Sequence, residues 1–410
     1  MIKKYQFAQV LGAVAFAASF LQPALAVNLS DAPIFSNTSV PGNLALALSV
    51  EYPTAISVAN LGDYVHSTKY LGYFDPEKCY DYSYDKKTPD NSYFQPAGKA
   101  SNHTCSGKWS GNFMNWVAMP TIDPFRWALT GGYRATDTES LTILQKAYGS
   151  AQGDAGSNYP YRGTKGSANN KLSASDVPKV TPFSGSNFSS RIWGKGVVMQ
   201  FTTKDSSGYQ NDSPSNLQHY GNGSTSKDEN YSVRIRVKVC DSSSAAGGLE
   251  ENCVKYGSNY KPEGLMQKFS NKIRYSAFGY LYEGGTNRQG GVLRAKMGFI
   301  GPEKPVPMST NPEDNLNAEW SKSSGVMNSN PDSGLDSDVS NSGVMNYLNQ
   351  FGNASEKYMS NDNVSEMYYA VMRYFQNIGN VPEWTNNTSG SNVGRKDSFP
   401  APATWSDPIL

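Results

Sequence analysis

Residues 43–50 have the sequence NLALALSV, an apolar run that begins after Pro41 and Gly42 and ends before Pro53. A run of this length between turn-forming residues predicts a buried β-strand. Three later stretches also predict strands, the first because its polar and apolar side chains alternate: residues 231–239, 273–282 and 291–297. The chain therefore has the strands of at least one sheet, distributed from its beginning to its last third.

Helices are predicted between and after these strands. Asp123 is a good N-cap residue and Pro124 suits the first helical position, so we predict a helix over residues 124–130. Asn363, with Glu366 three residues later, has the spacing of a capping box and begins the clearest helix. Two further helices are predicted, over residues 139–148 and 264–270. Because strands alternate with helices, the sequence predicts an α/β layer fold.

Composition limits the classes of protein to which the chain can belong. It has 410 residues, with 36 Lys and Arg against 35 Asp and Glu, for a net charge of +1. Such a balance argues against nucleic-acid binding by bulk charge. Hydrophobic residues make up 38% of the chain, which is enough to form a core. Residues 149–230 are rich in Ser, Gly, Asn, Lys and Asp, and we interpret them as surface loops around one strand or hairpin, or as an insertion.

The first 26 residues have the three parts of a cleavable secretory signal. Lys3 and Lys4 are followed by an apolar run at residues 10–21 and by Ala-Leu-Ala at residues 24–26. We predict that residues 1–26 are a signal peptide and that the mature chain is exported to an oxidising compartment. An uncleaved anchor is the alternative, but the apolar run is too short to span a bilayer comfortably. No transmembrane span is therefore expected after cleavage.

The four cysteines, Cys79, Cys105, Cys240 and Cys253, allow three disulfide pairings. Proximity along the chain favours Cys79 with Cys105 and Cys240 with Cys253. Each link would close a short loop and stabilise the fold by about 2–4 kcal/mol, mainly by restricting the unfolded chain. A structural zinc site is the competing interpretation, but the sequence contains no CxxC spacing and only three histidines.

The common catalytic motifs do not occur in the sequence. GxSxG, HExxH, GxxxxGK[ST] and a GxGxxG that follows a strand are absent. The three histidines have polar sequence neighbours and are interpreted as surface side chains. We therefore expect no enzymatic activity, no cofactor and no metal. A loose calcium site at Asp332, Asp336 and Asp338 is the alternative, although their spacing does not fit an EF-hand.

Several segments, taken in their order along the chain, resemble the N-terminal region of the PilC/PilY family of type IV pilus biogenesis and tip-adhesin proteins. They are YLGYFDP at 70–76 with Cys79, WSGNFMNW at 109–116, residues 122–126 with LTGG at 129–132, residues 239–240 and 249–253, YKPEGL at 260–265, GVLR at 291–294 and NSGVMNYL at 341–348. Each segment alone is short, but their shared order is specific.

The resemblance implies a von Willebrand factor A-like fold, which is an α/β doubly wound sheet, over residues 27–380. Within it lies the insertion at about 149–230, and a Pro-rich tail without a closing element follows at 381–410. Members of the family can carry a DxSxS metal motif after the first strand, but SVEYP at residues 49–53 lacks it, so no metal site is expected there. The family's calcium site lies in a C-terminal propeller, which we expect to be absent from these residues.

The resemblance also implies a function. It suggests an exported, tip-associated pilus-assembly protein of the periplasm, outer membrane and pilus tip, which promotes pilus biogenesis and adhesion to surfaces or host cells. Its expected partners are pilins, minor pilins and the assembly machinery, contacted through aromatic and Ser/Asn-rich loops. The alternative, from a different class, is a secreted carbohydrate-binding or carbohydrate-active protein whose tryptophans, such as Trp109 or Trp384, stack on sugars.

Overall fold

The computed structural model describes residues 40–48, 55, 57–148, 161–166, 169–192, 197–203, 218–221, 230–283, 286–287, 290–353 and 363–409. Its first strand, β1 (Gly42–Ala47), pairs in parallel with β15 (Ile273–Gly279), which follows only after most of the chain's other strands. β15 pairs on its other side with β18 (Val292–Gly298), which runs antiparallel. The strand predicted at residues 43–50 is thus present. It is partly exposed rather than buried, because among the described residues it has a strand partner on one side only.

Helices cover both faces of this three-stranded sheet. Tyr275 and Ala277 pack in one apolar cluster with α5 (Val344–Gln350), whereas Phe278 packs in another with α6 (Val364–Phe375). This alternation follows from the two-residue period of a strand, which sends successive side chains to opposite faces. The mixed α/β class predicted from the sequence is therefore confirmed.

The chain between β1 and β15 builds two further sheets, with orders β4-β2-β3-β12-β6-β5 and β10-β11-β9-β8-β7. Their strands are β2 (Lys78–Ser83), β3 (Tyr93–Lys99), β4 (Trp109–Ser110), β5 (Arg134–Asp137), β6 (Thr142–Gln145), β7 (Arg162–Gly163), β8 (Ser189–Ile192), β9 (Val198–Thr202), β10 (Gln218–His219), β11 (Asn230–Arg234) and β12 (Arg236–Val239). Among these neighbours only β3 with β12 and β10 with β11 are parallel. A doubly wound parallel sheet is therefore not the architecture of this part of the molecule.

The remaining elements are short. The other helices are α1 (Gly111–Ala118), α2 (Ile122–Thr130), α3 (Val177–Val180), α4 (Leu265–Lys268) and α7 (Pro382–Thr385), with 3-10 turns at Pro89–Asn91, Ser244–Ala246 and Gly390–Lys396. Three two-stranded hairpins pair β13 (Cys253–Tyr256) with β14 (Asn259–Pro262), β16 (Tyr282–Glu283) with β17 (Thr286–Asn287), and β19 (Glu303–Lys304) with β20 (Glu313–Asp314). None of the described helices combines the length and the apolar character needed to cross a membrane.

The helix predicted at residues 124–130 is α2, and Gly131 ends it in the left-handed conformation, with φ at 82°. Its N-cap is Thr121 rather than Asp123, so the predicted start is wrong by two residues. Asp123 instead lies inside the first turn, where its two carboxylate oxygens accept the backbone N–H of Ala147 at 3.0 and 2.8 Å. The Asp123 side chain therefore makes a tertiary hydrogen bond, although local rules predict that it caps the helix.

The helix predicted at residues 139–148 is wrong, because β6 occupies this segment. β6 pairs with β12 on one side and β5 on the other, and Ile143 and Leu144 are both buried. The strand predicted at 231–239 is also divided at Ile235 into β11 and β12, which belong to different sheets. In both cases pairing with other strands, and not the local sequence pattern, determined the secondary structure.

The described part of residues 149–230 is packed rather than confined to surface loops. β8 and β9 form a hairpin, which is one of the alternatives left open by the sequence, and Phe188, Met199 and Phe201 share an apolar cluster with Trp109. The tail at 381–410, predicted to lack a closing element, contains α7 and buries Phe399. The assignment of residues 27–380 to one domain stays a prediction, while Pro41–Leu410 form one compact unit.

Two disulfides are present, and they have the pairing that proximity favoured. Cys79 is bonded to Cys105, and Cys240 is bonded to Cys253. In the described residues there is no free cysteine. The zinc interpretation is therefore wrong, since these sulfurs are not available as thiolate ligands.

Candidate functional site

The aromatic loop segments, which we expected to form an interface, lie in the core. Tyr73 and Phe74 are buried, and the Phe74 ring makes edge contacts with Tyr80 at 5.1 Å and Phe94 at 5.2 Å. Trp109 is 1% exposed. Its ring is surrounded by the rings of Phe94, Phe183, Phe201 and Tyr220. Trp109 therefore cannot stack on a sugar, and that part of the carbohydrate alternative is wrong.

The exposed apolar side chains concentrate instead on α6. Four of them recur at spacings of four, four and three residues, which places them along one line of a helix. We call this line the outer stripe: Val364, Tyr368, Met372 and Phe375. Tyr369 and Ile378 lie beside it and are also exposed, and Tyr368 reaches 63% exposure. Contiguous exposed apolar surface of this kind marks interaction sites on soluble proteins.

The opposite face of α6 holds the helix on the sheet. Met367, Ala370 and Tyr374 are buried, and the Tyr374 hydroxyl accepts the backbone N–H of Met297 in β18 at 2.8 Å. The Trp405 ring stands perpendicular to the Tyr374 ring at 5.6 Å. These contacts account for the apolar residues of the inner face only. The side chains of the outer stripe are 36% exposed or more, and of these Phe375 also makes a ring contact with Tyr374 at 6.2 Å.

Charged side chains lie at the ends of α6, and the outer stripe itself carries none. Glu366 lies in the first turn and Arg373 in the last, which suits the helix dipole. Arg373 Nε donates to the carbonyl of Gly379 at 2.9 Å, and its guanidinium lies 5.6 Å from the Tyr369 ring centroid. The arginine thus anchors the end of the helix and one of the exposed rings, leaving an uncharged aromatic and Met-containing surface.

The acidic loop considered for calcium is neutralised by lysines. Lys396 Nζ lies 2.8 Å from Asp336 and 3.0 Å from Asp338, and Lys296 Nζ lies 2.8 Å from Asp332. Burial alone would raise the pKa of Asp336, but its hydrogen bond with Lys396 brings the pKa below the ordinary value. The three carboxylates therefore serve as partners of lysines and do not converge on an open cation site.

A second group of potential metal ligands surrounds one disulfide. Cys240, Glu250 and Cys253 lie within 4.8 Å of one another, but the two sulfurs are bonded together. Glu250 Oε2 accepts the backbone N–H of Cys240 at 2.8 Å, and Oε1 pairs with Lys78 Nζ at 2.7 Å. A cation here would have to displace Lys78. The cluster is therefore structural. Lys78 precedes Cys79 in the chain, so its ion pair with Glu250 connects the Cys240–Cys253 disulfide to the Cys79–Cys105 disulfide.

Two of the three histidines have defined side-chain partners. His103 is buried, contrary to the surface interpretation, with Nε2 at 2.9 Å from Glu77 and Nδ1 against the carbonyl of His66. The His219 ring stacks on Tyr84 at 5.5 Å. The sequence at residues 49–53, where the family's metal motif would occur, is outside the described residues.

Comparison with known proteins agrees with the resemblance seen in the sequence. A family profile described as "PilY1 homolog, small alpha/beta domain" matches residues 62–219, which lie between β1 and β15. A protein of Xylella fastidiosa strain Temecula1, named type IV pilus biogenesis factor PilY1 homolog, is 41% identical over an alignment of 409 residues that covers 93% of this chain. The chain belongs to the PilY1 family.

This PilY1-family chain spans about a third of the length of that relative, 32%. A second Xylella fastidiosa protein of the same name is 28% identical over 258 residues, which is 56% of this chain and 16% of the relative. No solved structure matches.

Sequence reasoning placed the interface of this PilY1-family chain in loops and missed the outer stripe. The signal was nevertheless present in residues 364–375. Apolar side chains there form two rows along the helix, one through Met367 and Tyr374 and one through Val364 and Met372. A helix that buries one face needs only one apolar row. Which row faces the sheet depends on contacts with β15 and β18, so it could not be read locally.

Proposed function

We propose that this PilY1-family chain is an exported component of type IV pilus assembly and that it contacts another pilus component through the outer stripe of α6. The observation that carries the proposal is the exposed apolar line of Val364, Tyr368, Met372 and Phe375 on a helix fixed by its inner face. The names of the relatives support the pilus role, since both are called pilus biogenesis factors. Pilins or minor pilins are the partners we propose.

The chemistry of the outer stripe suits a protein partner. Tyr, Phe and Met are enriched in the buried centres of protein interfaces, where charged residues are depleted. Because α6 is held on the sheet by Met367, Ala370 and Tyr374, binding would order few additional groups and would lose little conformational entropy. The stripe therefore provides contact area on a rigid support.

Export is part of the proposal. Two disulfides in one chain favour an oxidising compartment, which agrees with the signal peptide predicted at residues 1–26. We place the chain in the periplasm, at the outer membrane and at the pilus tip, where it promotes pilus biogenesis and adhesion. We propose no enzymatic activity and no cofactor for it.

We propose that β1, β15 and β18 are part of a von Willebrand factor A-like, doubly wound sheet. The parallel pair of β1 with β15 and the helices on both faces support it. On this view, the segment that separates β1 from β15 is an elaboration inserted into the sheet, and it is longer than residues 149–230.

The test is complementation of a gene deletion, with surface pili counted by electron microscopy. Wild type is compared with a Tyr368→Ser/Met372→Ser variant of the outer stripe. The matched control is Met308→Ser/Leu316→Ser, because these residues are apolar and more than nine-tenths exposed but lie outside α6. We expect wild type and control to restore pili and the stripe variant to fail at equal protein level.

Two results would contradict different parts of the proposal. Normal piliation in the deletion strain would remove the assembly role. If the deletion strain lacks pili and the stripe variant restores them fully, the assembly role stands. The outer stripe is then not the contact surface.

The carbohydrate alternative has lost one of the two tryptophans that were named for it. Trp109 is buried, and the half-buried Trp384 ring lies 6.2 Å from the Tyr369 ring and packs against Gly290. No observation on the described residues favours it over the pilus role.

A further inference from the structure

The outer edge of β1 has no strand beside it among the described residues, whereas its inner edge pairs with β15. In a β-strand, the N–H and C=O groups of one residue point to the same side, and those of the next residue point to the other. The N–H of Gly42 donates to the carbonyl of Lys272, beside β15, at 2.9 Å. The even-numbered residues of β1 therefore pair with β15. The residues whose backbone groups point to the open edge are Asn43, Ala45 and Ala47.

β1 has none of the features that usually protect an open edge. Natural sheet edges carry charged side chains or Pro, which prevent pairing with other chains. β18, at the other edge of the sheet, carries Arg294 and Lys296, and Lys296 Nζ lies 2.8 Å from Asp332. Residues 42–48 contain neither a charged residue nor Pro. The outer edge of β1 is therefore suited to pairing with another strand rather than to facing solvent.

Both faces of β1 contribute to the core, as in a strand inside a parallel sheet. Leu46 packs against the apolar cluster that contains residues of α5, and Ala45 packs against the cluster that contains residues of α6. Coverage on both faces is typical of parallel sheets with helices on each side. Leu44, on the same face as Leu46, is still 43% exposed. A strand beside β1, with apolar side chains of its own, would cover this remaining surface.

The relatives indicate where such a strand can come from. The alignment with the 41%-identical Xylella fastidiosa protein covers 93% of this chain but only 32% of that protein. We call the rest of the relative, about two-thirds of its length, the unaligned part. In a doubly wound sheet, strands lie on both sides of the first strand, because the strand order reverses there. The side of β1 opposite β15 is therefore the place for later strands of such a sheet.

We propose that the outer edge of β1 binds a parallel, apolar β-strand from the polypeptide that corresponds to the unaligned part of the relative. The backbone groups of Asn43, Ala45 and Ala47 would make its hydrogen bonds, and no charged side chain of β1 would have to lose its water. This pairing rests on the doubly wound sheet proposed above and does not depend on the outer stripe. It would extend the three-stranded sheet on the side where β1 is open.

The first test is amide hydrogen exchange at single-residue resolution. The purified chain alone is compared with the chain co-expressed with the unaligned part of the Xylella relative. In the chain alone, the N–H of Ala45 should exchange fast, whereas those of Leu44 and Leu46, which face β15, should be protected. In the complex, the N–H of Ala45 should be as protected as its two neighbours. Fast exchange at Ala45 in both samples would overturn the proposal.

Two substitutions at Ala45 test the backbone contact itself. Ala45→Pro removes an N–H at the open edge, a position where a sheet tolerates Pro, so the Tm of the chain alone should change little. Co-purification with the unaligned part should be lost. Ala45→Ser is the matched control, because it keeps the N–H, and it should co-purify as wild type does. Binding by Ala45→Pro, or no co-purification with wild type, would contradict the proposed pairing.

Other occupants of the edge would give different results. A wild-type dimer in light scattering, with Ala45 protected before the second polypeptide is present, would assign the edge to a second copy and overturn the proposal. Loss of co-purification with Tyr368→Ser/Met372→Ser but not with Ala45→Pro would place the contact on the outer stripe instead. Neither result would change the count of surface pili, so failure of this pairing is distinguishable from failure of the pilus role.

Discussion

Glu319 caps α5 from inside the protein: its Oε1 accepts the backbone N–H of Val344 at 2.6 Å, at the first residue of the helix. The second oxygen accepts the N–H of Met345 at 2.8 Å. Gly343, just before the helix, has φ at 97°, a conformation that favours glycine. Burial raises the pKa of Glu319 to about 7, even though these backbone hydrogen bonds act in the opposite direction. The cap is therefore sensitive to pH near neutrality.

Glu319→Gln should flatten the pH dependence of stability between pH 4.5 and about 7. In this window the folded chain keeps a proton that the unfolded chain has lost, so the free energy of unfolding of wild type falls as pH rises. The fall should be about 3 kcal/mol at most, while the variant shows only a constant loss from one missing acceptor. Urea unfolding at several pH values measures this, and exposed Glu251→Gln is the control. Parallel curves for wild type and Glu319→Gln would contradict the prediction.

Removing either disulfide should lower stability by about 2–4 kcal/mol, with the larger effect for the longer loop. The Cys79–Cys105 link spans 26 residues and the Cys240–Cys253 link spans 13. Since loop closure costs about 0.6 kcal/mol more for each doubling of length, Cys79→Ala/Cys105→Ala should be less stable than Cys240→Ala/Cys253→Ala by about that amount. The urea midpoints of the two variants measure this difference in stability. The reverse order of stability would show that chain entropy does not dominate.

Lys261→Met should lower the free energy of unfolding by about 1–3 kcal/mol, because it removes a buried, hydrogen-bonded charge while Asp137 keeps its ion pair with Arg134 at 3.0 Å. Lys261 is fully buried, and its Nζ lies 2.7 Å from Asp137 and 3.0 Å from Thr142. Lys304→Met is the matched control, because Lys304 makes a similar 2.9 Å contact with Glu313 in solvent. An exposed pair contributes about 0–1 kcal/mol. Equal effects in denaturant unfolding would argue against a structural role for the buried pair.

The same substitution at two methionines on α6 should change the stability by very different amounts. Met367→Ala on the inner face should lower the free energy of unfolding by about 2–5 kcal/mol, because it leaves a cavity among residues such as Phe278. Met372→Ala on the outer stripe, where the side chain is 42% exposed, should change it by less than about 0.5 kcal/mol. A large loss for Met372→Ala would mean that this side chain supports the fold rather than a partner.

Local sequence rules worked where one segment decides its own structure. The α2 helix ends at Gly131 as predicted, since only a residue without a Cβ adopts the left-handed conformation easily. The hairpin of β8 and β9 includes the apolar island at residues 191–201, for which the sequence predicted one strand or a hairpin. These rules failed at residues 139–148, where strands from other parts of the chain supply hydrogen-bond partners that a helix would not use.

The sequence by itself determined the mixed α/β class, the cysteine pairing favoured by proximity, and the family to which the chain belongs. The tertiary structure decided the pairing of β1 with β15, the buried position of Trp109 and the exposed line on α6. The physical reason is the separation along the chain of the residues in contact. Helix caps, turns and short loops are determined by residues that are neighbours in the chain. Sheet partners and burial depend on contacts between residues far apart, such as Leu44 opposite Tyr275.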